Sequence, residues 1–230
     1  DFRLNYGDDI PDNTKIIQLE MDNLLVGQNR ASDVALVGNL ACGFESMIRV
    51  MDEKGIAIDF SGYGVELRAQ EEAKTKALSG EATSDAVPIE AQRLCQDIAD
   101  FVAEDDEMIV IGDGGDIVAK AAKVVPIPTK GLWMDPGPLG TLGVGMPFAL
   151  AAQAAFPDRK VLIIYGDGSF GLNGFEYDTA VRFNLPIVGI VGNDAAWGQM
   201  MRPQNALYGT PDSTLLNPTR YDKVVESMGG

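Results

Sequence analysis

Three glycine-bearing segments gather the side chains in this sequence best placed to do chemistry: Gly112-Asp113-Gly114-Gly115-Asp116, Gly166-Asp167-Gly168-Ser169 and Gly192-Asn193-Asp194-Ala195-Ala196-Trp197-Gly198. Glycine lets backbone amides come close to an anion, and a helix that follows adds its positive N-terminal end. Such loops suit a diphosphate. Asp167 adds a condition, because a carboxylate beside a bound diphosphate at low dielectric is costly unless a cation lies between them. A hard divalent ion such as Mg2+ takes about six oxygens and keeps phosphate and water among them. Asp167, the carboxylate of Asp194 and the backbone carbonyl of Ala196 could supply three of these. Two diphosphate oxygens and a water would complete the set.

A dinucleotide site competes with this reading. Gly166-Asp167-Gly168-Ser169-Phe170-Gly171 also fits G-x-G-x-x-G, with Asp194 available for a ribose, which would make the protein a dinucleotide-binding oxidoreductase. The Asp167 carboxylate counts against it. The sequence has no histidine, which removes the Ser-His-Asp triad, the HExxH zinc site and any imidazole acid or base. A net charge of −16 excludes non-specific binding to nucleic acid or to an anionic membrane, so an anionic ligand must be held by local devices. With 46% hydrophobic and 23% charged residues, and no apolar run near the roughly 20 needed to span a bilayer, a soluble protein is expected. Asp1 to Tyr6 show no basic region leading into an apolar stretch, so no secretory signal is visible. Cys42 and Cys95, far apart among apolar neighbours, read as reduced core thiols of a cytoplasmic protein. Asp113 and Asp178 read as surface or capping residues, and Trp197 as a wall of a pocket or interface.

The elements that would position these loops follow from periodicity. Lys15 to Leu19 and Val34 to Gly38 read as short strands, and Ala41 to Met51 as a helix. From Asp52 to Val87 the pattern weakens, with a surface helix over Gln70 to Lys76. Beyond Pro88, Ile89, Leu94, Ile98, Phe101 and Val102 describe an amphipathic helix. Met108 to Ile111 predicts a buried strand, Ile117 to Val124 a helix, and Pro147 to Ala155 an apolar helix after the glycine-rich run Gly137 to Gly145. Val161 to Tyr165 predicts a strand, followed by a helix to about Phe183 and a strand from Ile187 to Val191. Strands without polar alternation, separated by helices, point to an α/β fold with a parallel sheet covered on both faces. In such a sheet ligands gather beyond the carboxyl ends of the strands, where the three loops lie.

The stretch from Lys160 to Gly198, with Gly166-Asp167-Gly168 followed by Asn193-Asp194, resembles the thiamine diphosphate motif of the pyruvate oxidase and acetolactate synthase superfamily. That motif is G-D-G, a spacer in the mid-twenties and N-N, so Asp194 replaces the second, metal-binding Asn with another oxygen ligand. Gly137 to Pro147 resembles the segment under the thiazolium ring, with Leu142 where a bulky residue bends the cofactor and Thr141 beside it. Gly114-Gly115-Asp116 matches the loop on the other side of the diphosphate. Trp133 to Pro138 and Phe170 to Glu176 look closest to acetolactate-synthase-like proteins, 2-hydroxyacyl-CoA lyases and oxalyl-CoA decarboxylases.

The resemblance implies residues 1–51 as the C-terminal part of a central domain, 52–87 as a linker, and 88–230 as the diphosphate- and magnesium-binding domain, incomplete at its C-terminus. Its implied cofactor-binding residues are Gly114, Gly115, Asp116, Thr141, Leu142, Gly166, Gly168, Ser169, Asn193 and Trp197, with Asp167, Asp194 and Ala196 on the metal. It further implies a lyase or carboligase acting on a 2-oxo acid, an aldehyde or an acyl-CoA. The activating glutamate would come from a pyrimidine-binding domain outside these residues, in a homodimer or homotetramer. A paralogue that binds the cofactor without catalysis is the other reading.

Overall fold

The computed structural model describes residues 7–230, so the reading of Asp1 to Tyr6 lies outside the described residues. Two compact units divide the chain, the first ending at Glu71 and the second running from Glu72 to Gly230. In the first, β1 (Ile17–Glu20) and β2 (Val34–Val37) pair in parallel, with Ile17 opposite Val34. Helix α1 (Leu40–Glu53) follows, its N-terminus capped by the Asn39 side chain, which accepts from the amides of Ala41 and Cys42. α1 lies against β1 closely enough that a Cβ on Gly43 would sit 2.7 Å from Leu19. Cys42 does not become a core thiol; it lies exposed on α1. Helix α2 (Ser61–Ala82) runs across the boundary between the units and contains the predicted Gln70 to Lys76 helix. It has no apolar stripe, as a solvated helix requires none. Among the described residues no helix is long and apolar enough to cross a membrane.

The second unit opens with α3 (Ala91–Ala103), which buries Gln92, Cys95, Ile98, Ala99 and Val102 at helical spacing. Phe101 and Ile89 were expected on that face and are exposed: Phe101 is turned about 100° from Val102, and Ile89 precedes the helix. Then come β3 (Ile109–Asp113), α4 (Gly115–Ala121), β4 (Leu132–Met134), α5 (Gly145–Ala155), β5 (Val161–Gly166), α6 (Asp167–Asn173), α7 (Tyr177–Arg182), β6 (Ile187–Gly192), α8 (Gly198–Tyr208) and α9 (Tyr221–Ser227). The expected helix to Phe183 is two helices, because a 3-10 turn at Gly174–Glu176 lies between α6 and α7. The predicted helix to Val124 stops at Ala121 and closes in tight turns.

The four strands form one parallel sheet in the order β4-β3-β5-β6. Alternate side chains go to opposite faces. Val110, Leu162 and Ile164 pack with Cys95, Ile98 and Val102 of α3 and with Ile117 and Ala121 of α4. Ile109, Ile111, Ile163 and Tyr165 pack on the other face with Met146 and Ala149 of α5, Phe170 of α6 and Tyr177 of α7. The central strands β3 and β5 are covered on both faces, as their unbroken apolar runs predict, whereas the outer strands are not fully covered: Leu132 of β4 and Val188 of β6 are exposed.

Candidate functional site

Register brings the three loops together. β3 lies beside β5 with Asp113 opposite Tyr165, and β5 lies beside β6 with Gly166 opposite Gly192. The loops after β3, β5 and β6 therefore leave the same edge of the sheet, with Gly166 to Ser169 in the middle. A cleft of about 690 Å3 opens there, lined by Gly115, Asp116, Leu142, Gly166, Asp167, Gly168, Ser169, Asn193, Asp194, Ala196, Trp197 and Arg202, among others.

The glycines of the cleft are held by close packing. Gly114 adopts φ 67° and ψ 166°, outside the regions open to L residues, and a Cβ there would lie 2.2 Å from Leu142 Cδ2 and 2.3 Å from Ser169 Oγ. A Cβ on Gly168 would fall 2.7 Å from the Trp197 ring, so the indole lies directly on this backbone. Gly114, Leu142 and Ser169 form one side of the cradle, and Gly168 with Trp197 another. Neither Gly114 nor the exposed Thr141 is among the residues that line the cleft; Gly114 packs against Leu142 and Ser169, which are.

Asp167 is 2% exposed. Its Oδ1 accepts from the Gly168 amide at 2.8 Å, while Oδ2 is buried and has no hydrogen-bond partner. Burial pushes the Asp167 carboxyl above its ordinary value and the nearby Asp194 charge adds to this, against the amides of Gly168, Ala196 and Ala195. A buried carboxylate oxygen without a hydrogen-bond partner is what a cation would satisfy. Asp194 is exposed at the cleft, next to Asn193, whose side chain donates to the Thr219 carbonyl at 2.9 Å and accepts from the Ala195 amide at 3.3 Å. Ala195 takes φ 54°, a left-handed turn that carries the chain from β6 to Ala196. Ala196 bridges Leu215 through ladder bonds made by its neighbours, Trp197 N to Thr214 O and Leu216 N to Ala195 O. Its own carbonyl is thus turned away from Leu215.

Among the described residues no three Asp, Glu or Cys side chains cluster as a self-sufficient metal site. Two carboxylates and a carbonyl suit an ion that takes its remaining ligands from phosphate and water. The orphaned Asp167 oxygen and the glycine cradle therefore fit a metal-bound diphosphate.

Asp113, read as a surface or capping residue, is not at the surface, being 1% exposed, but it does hold the amide that opens α5. Its two oxygens accept from the amides of Gly143 at 2.9 Å and Gly145 at 2.7 Å, and burial raises its pKa above the ordinary carboxylate range. The Asn173 side chain donates to the Gly143 carbonyl. The segment carrying Leu142 is thereby held from both sides. Replacing Asp113 with alanine would leave two buried amides unpaired, at about 1–3 kcal/mol each. A lower urea midpoint together with weaker ligand binding at the cleft is the expected outcome. Asp178 matches its expected place, exposed in the first turn of α7 and paired with Arg182 at 2.8 Å.

Arg202 was not anticipated. It reaches from α8 to bind Asp116 of α4 with both guanidinium nitrogens, and this pairing raises its pKa.

Residues 113–230 match the family described as "Thiamine pyrophosphate enzyme, C-terminal TPP binding domain". Over its whole length the chain is similar to a probable acetolactate synthase of Mycobacterium bovis, at 34% identity and covering 41% of that protein. It is also similar along its whole length, at 36% identity and covering 36% of that protein, to 2-hydroxyacyl-CoA lyase 2 of Caenorhabditis elegans. The human 2-hydroxyacyl-CoA lyase 2 is 33% identical, again along the whole chain and over 36% of its own length. The chain thus spans well under half the length of these relatives.

Proposed function

The chain belongs to the thiamine pyrophosphate enzyme family, in which residues 113–230 are a C-terminal cofactor-binding domain, and from that premise we propose that it serves a magnesium-dependent carbon–carbon lyase or carboligase. The observation that carries this is the buried, unpartnered Oδ2 of Asp167 beside a glycine cradle. Asp167, Asp194 and the Ala196 carbonyl would hold Mg2+. Backbone amides of Gly114, Gly115, Gly166, Gly168 and Ser169, with Asn193, would take the diphosphate, and Asp116 closes that loop. Leu142 and the Trp197 indole would form apolar walls that exclude water.

When bound, thiamine diphosphate supplies a carbon nucleophile and an electron sink for bonds next to a carbonyl. The residues at the cleft would bind, orient and desolvate the cofactor, and none of them supplies an imidazole. The activating glutamate is assigned to a pyrimidine-binding domain outside these residues, supplied by a partner chain in a homodimer or homotetramer. A cytoplasmic location and the three-part division at residues 51 and 87 belong to the same proposal.

The relatives support two substrate classes, 2-oxo acids and 2-hydroxyacyl-CoA thioesters. The full-length protein, supplied with thiamine diphosphate and Mg2+, should turn over pyruvate or a 2-hydroxyacyl-CoA in parallel assays, with one clearly preferred. Turnover of neither would overturn the catalytic reading in favour of a cofactor-binding paralogue.

A further inference from the structure

The Asp116–Arg202 pair joins residues 86 apart in sequence, across the cleft. Asp116 lies in the first turn of α4, just after β3, and Arg202 lies in α8, after β6. The strand order places β5 between them, so the pair ties together the two loops that flank Gly166 to Ser169. The start of α8 joins the same cluster: a Cβ on Gly198 would lie 2.8 Å from Asp116 Oδ2 and 3.1 Å from Asp194 Oδ2. Exposed Arg202 lines the cleft, as does its partly buried partner Asp116. Their contact therefore lies at the cleft.

We propose that the Asp116–Arg202 pair is a latch that retains the diphosphate by tying α4 to α8 across the middle loop, with Arg202 acting through Asp116 and not as a diphosphate ligand. This rests on the cofactor reading above. A two-nitrogen guanidinium–carboxylate contact is stronger and more directional than a single ion pair, while its partial exposure limits the gain. Opening the latch should raise the cofactor dissociation rate about five- to tenfold and leave the association rate within about twofold. The effect should shrink at high salt.

The test uses the full-length protein loaded with Mg2+ and thiamine diphosphate. Cofactor release is followed as the thiamine diphosphate left on the protein after dilution and rapid filtration. Arg202→Gln and Asp116→Asn should each speed release, and the double variant should release no faster than either alone. Arg202→Lys should recover part of the retention, since an ammonium lacks the planar fork. Exchanging the charges, Asp116→Arg with Arg202→Asp, should recover part as well. Melting of the unliganded variants checks that they fold, and the lysine variant keeps the question open to test if the others do not. Faster release in Arg202→Gln but not in Asp116→Asn would overturn the latch and place Arg202 on the diphosphate. Additive effects or unchanged release would also overturn it. A wild-type protein that binds no thiamine diphosphate by calorimetry would sink the cofactor reading itself, and the latch with it.

Discussion

Asp167→Asn will abolish stabilisation by thiamine diphosphate with Mg2+ and, at neutral pH, raise the melting temperature of the cofactor-free protein. The two effects have one cause. Oδ2 of Asp167 is buried without a partner, and a buried unsatisfied group costs about 1–3 kcal/mol, more when charged. Asparagine keeps an oxygen for the Gly168 amide and removes the charge, so the folded state loses a penalty together with its metal ligand. The pH dependence has a definite sign. Burial raises the carboxyl in the folded state, so its contribution is most favourable below the ordinary value of 3.8 and is lost as pH rises through the raised value. The gap between the variant and the wild type should therefore be widest at neutral pH and close as pH falls toward about 4. Asp113, also raised, and Asp105 and Asp222, both lowered, are common to the two proteins and cancel in the difference. Ligand at 100 times its dissociation constant should add about 2.7 kcal/mol to the wild type and nothing to the variant. Calorimetric melts with and without the ligand pair check both parts, and a variant that melts lower than the wild type without ligand would contradict the account of Oδ2.

Gly114→Ala should weaken thiamine diphosphate binding by about 100-fold, on the scale that a displacement near 1 Å costs at a positioned site. The new Cβ would sit 2.2 Å from Leu142 Cδ2 and 2.3 Å from Ser169 Oγ, so both side chains must leave the cleft wall. The backbone at φ 67° and ψ 166° adds about 1–3 kcal/mol of strain. Gly137→Ala separates the two terms, because Gly137 also has positive φ, 59°, but nothing lies within 4 Å of its Cβ position. That variant should lose stability and keep its affinity. Titration calorimetry on both proteins decides the matter: equal loss of affinity would mean that strain, and not the filled cradle, is responsible.

Features built from neighbouring residues were legible in the sequence. The run Val161 to Tyr165 is apolar without alternation because both faces of β5 are covered, and Gly166-Asp167-Gly168 follows it directly. The metal argument needed only Asp167 and its chemistry. What stayed hidden depends on partners distant in the chain. Asp113 looks like a turn residue until the amides of Gly143 and Gly145, 30 and 32 positions on, are seen to bind it. Its place at the end of a fully apolar strand was the available signal. Asp116 and Arg202 are paired only by the strand order. β4 is three residues long, too short for any period, and α8 contains Pro203, which argues against a helix interior. Leu142 lines the cleft while its neighbour Thr141 does not, a distinction that only the backbone path makes.

The two thiols differ in a way that has a practical use. Burial pushes the Cys95 thiol up to about 11, so beneath the sheet it stays protonated and unreactive at neutral pH, while Cys42 lies exposed on α1 in the other unit. Electrophilic reagents attack the thiolate and need access to it. In the native protein a maleimide dye or spin label will therefore attach at Cys42 alone among the described residues, giving a single point of attachment on the first unit.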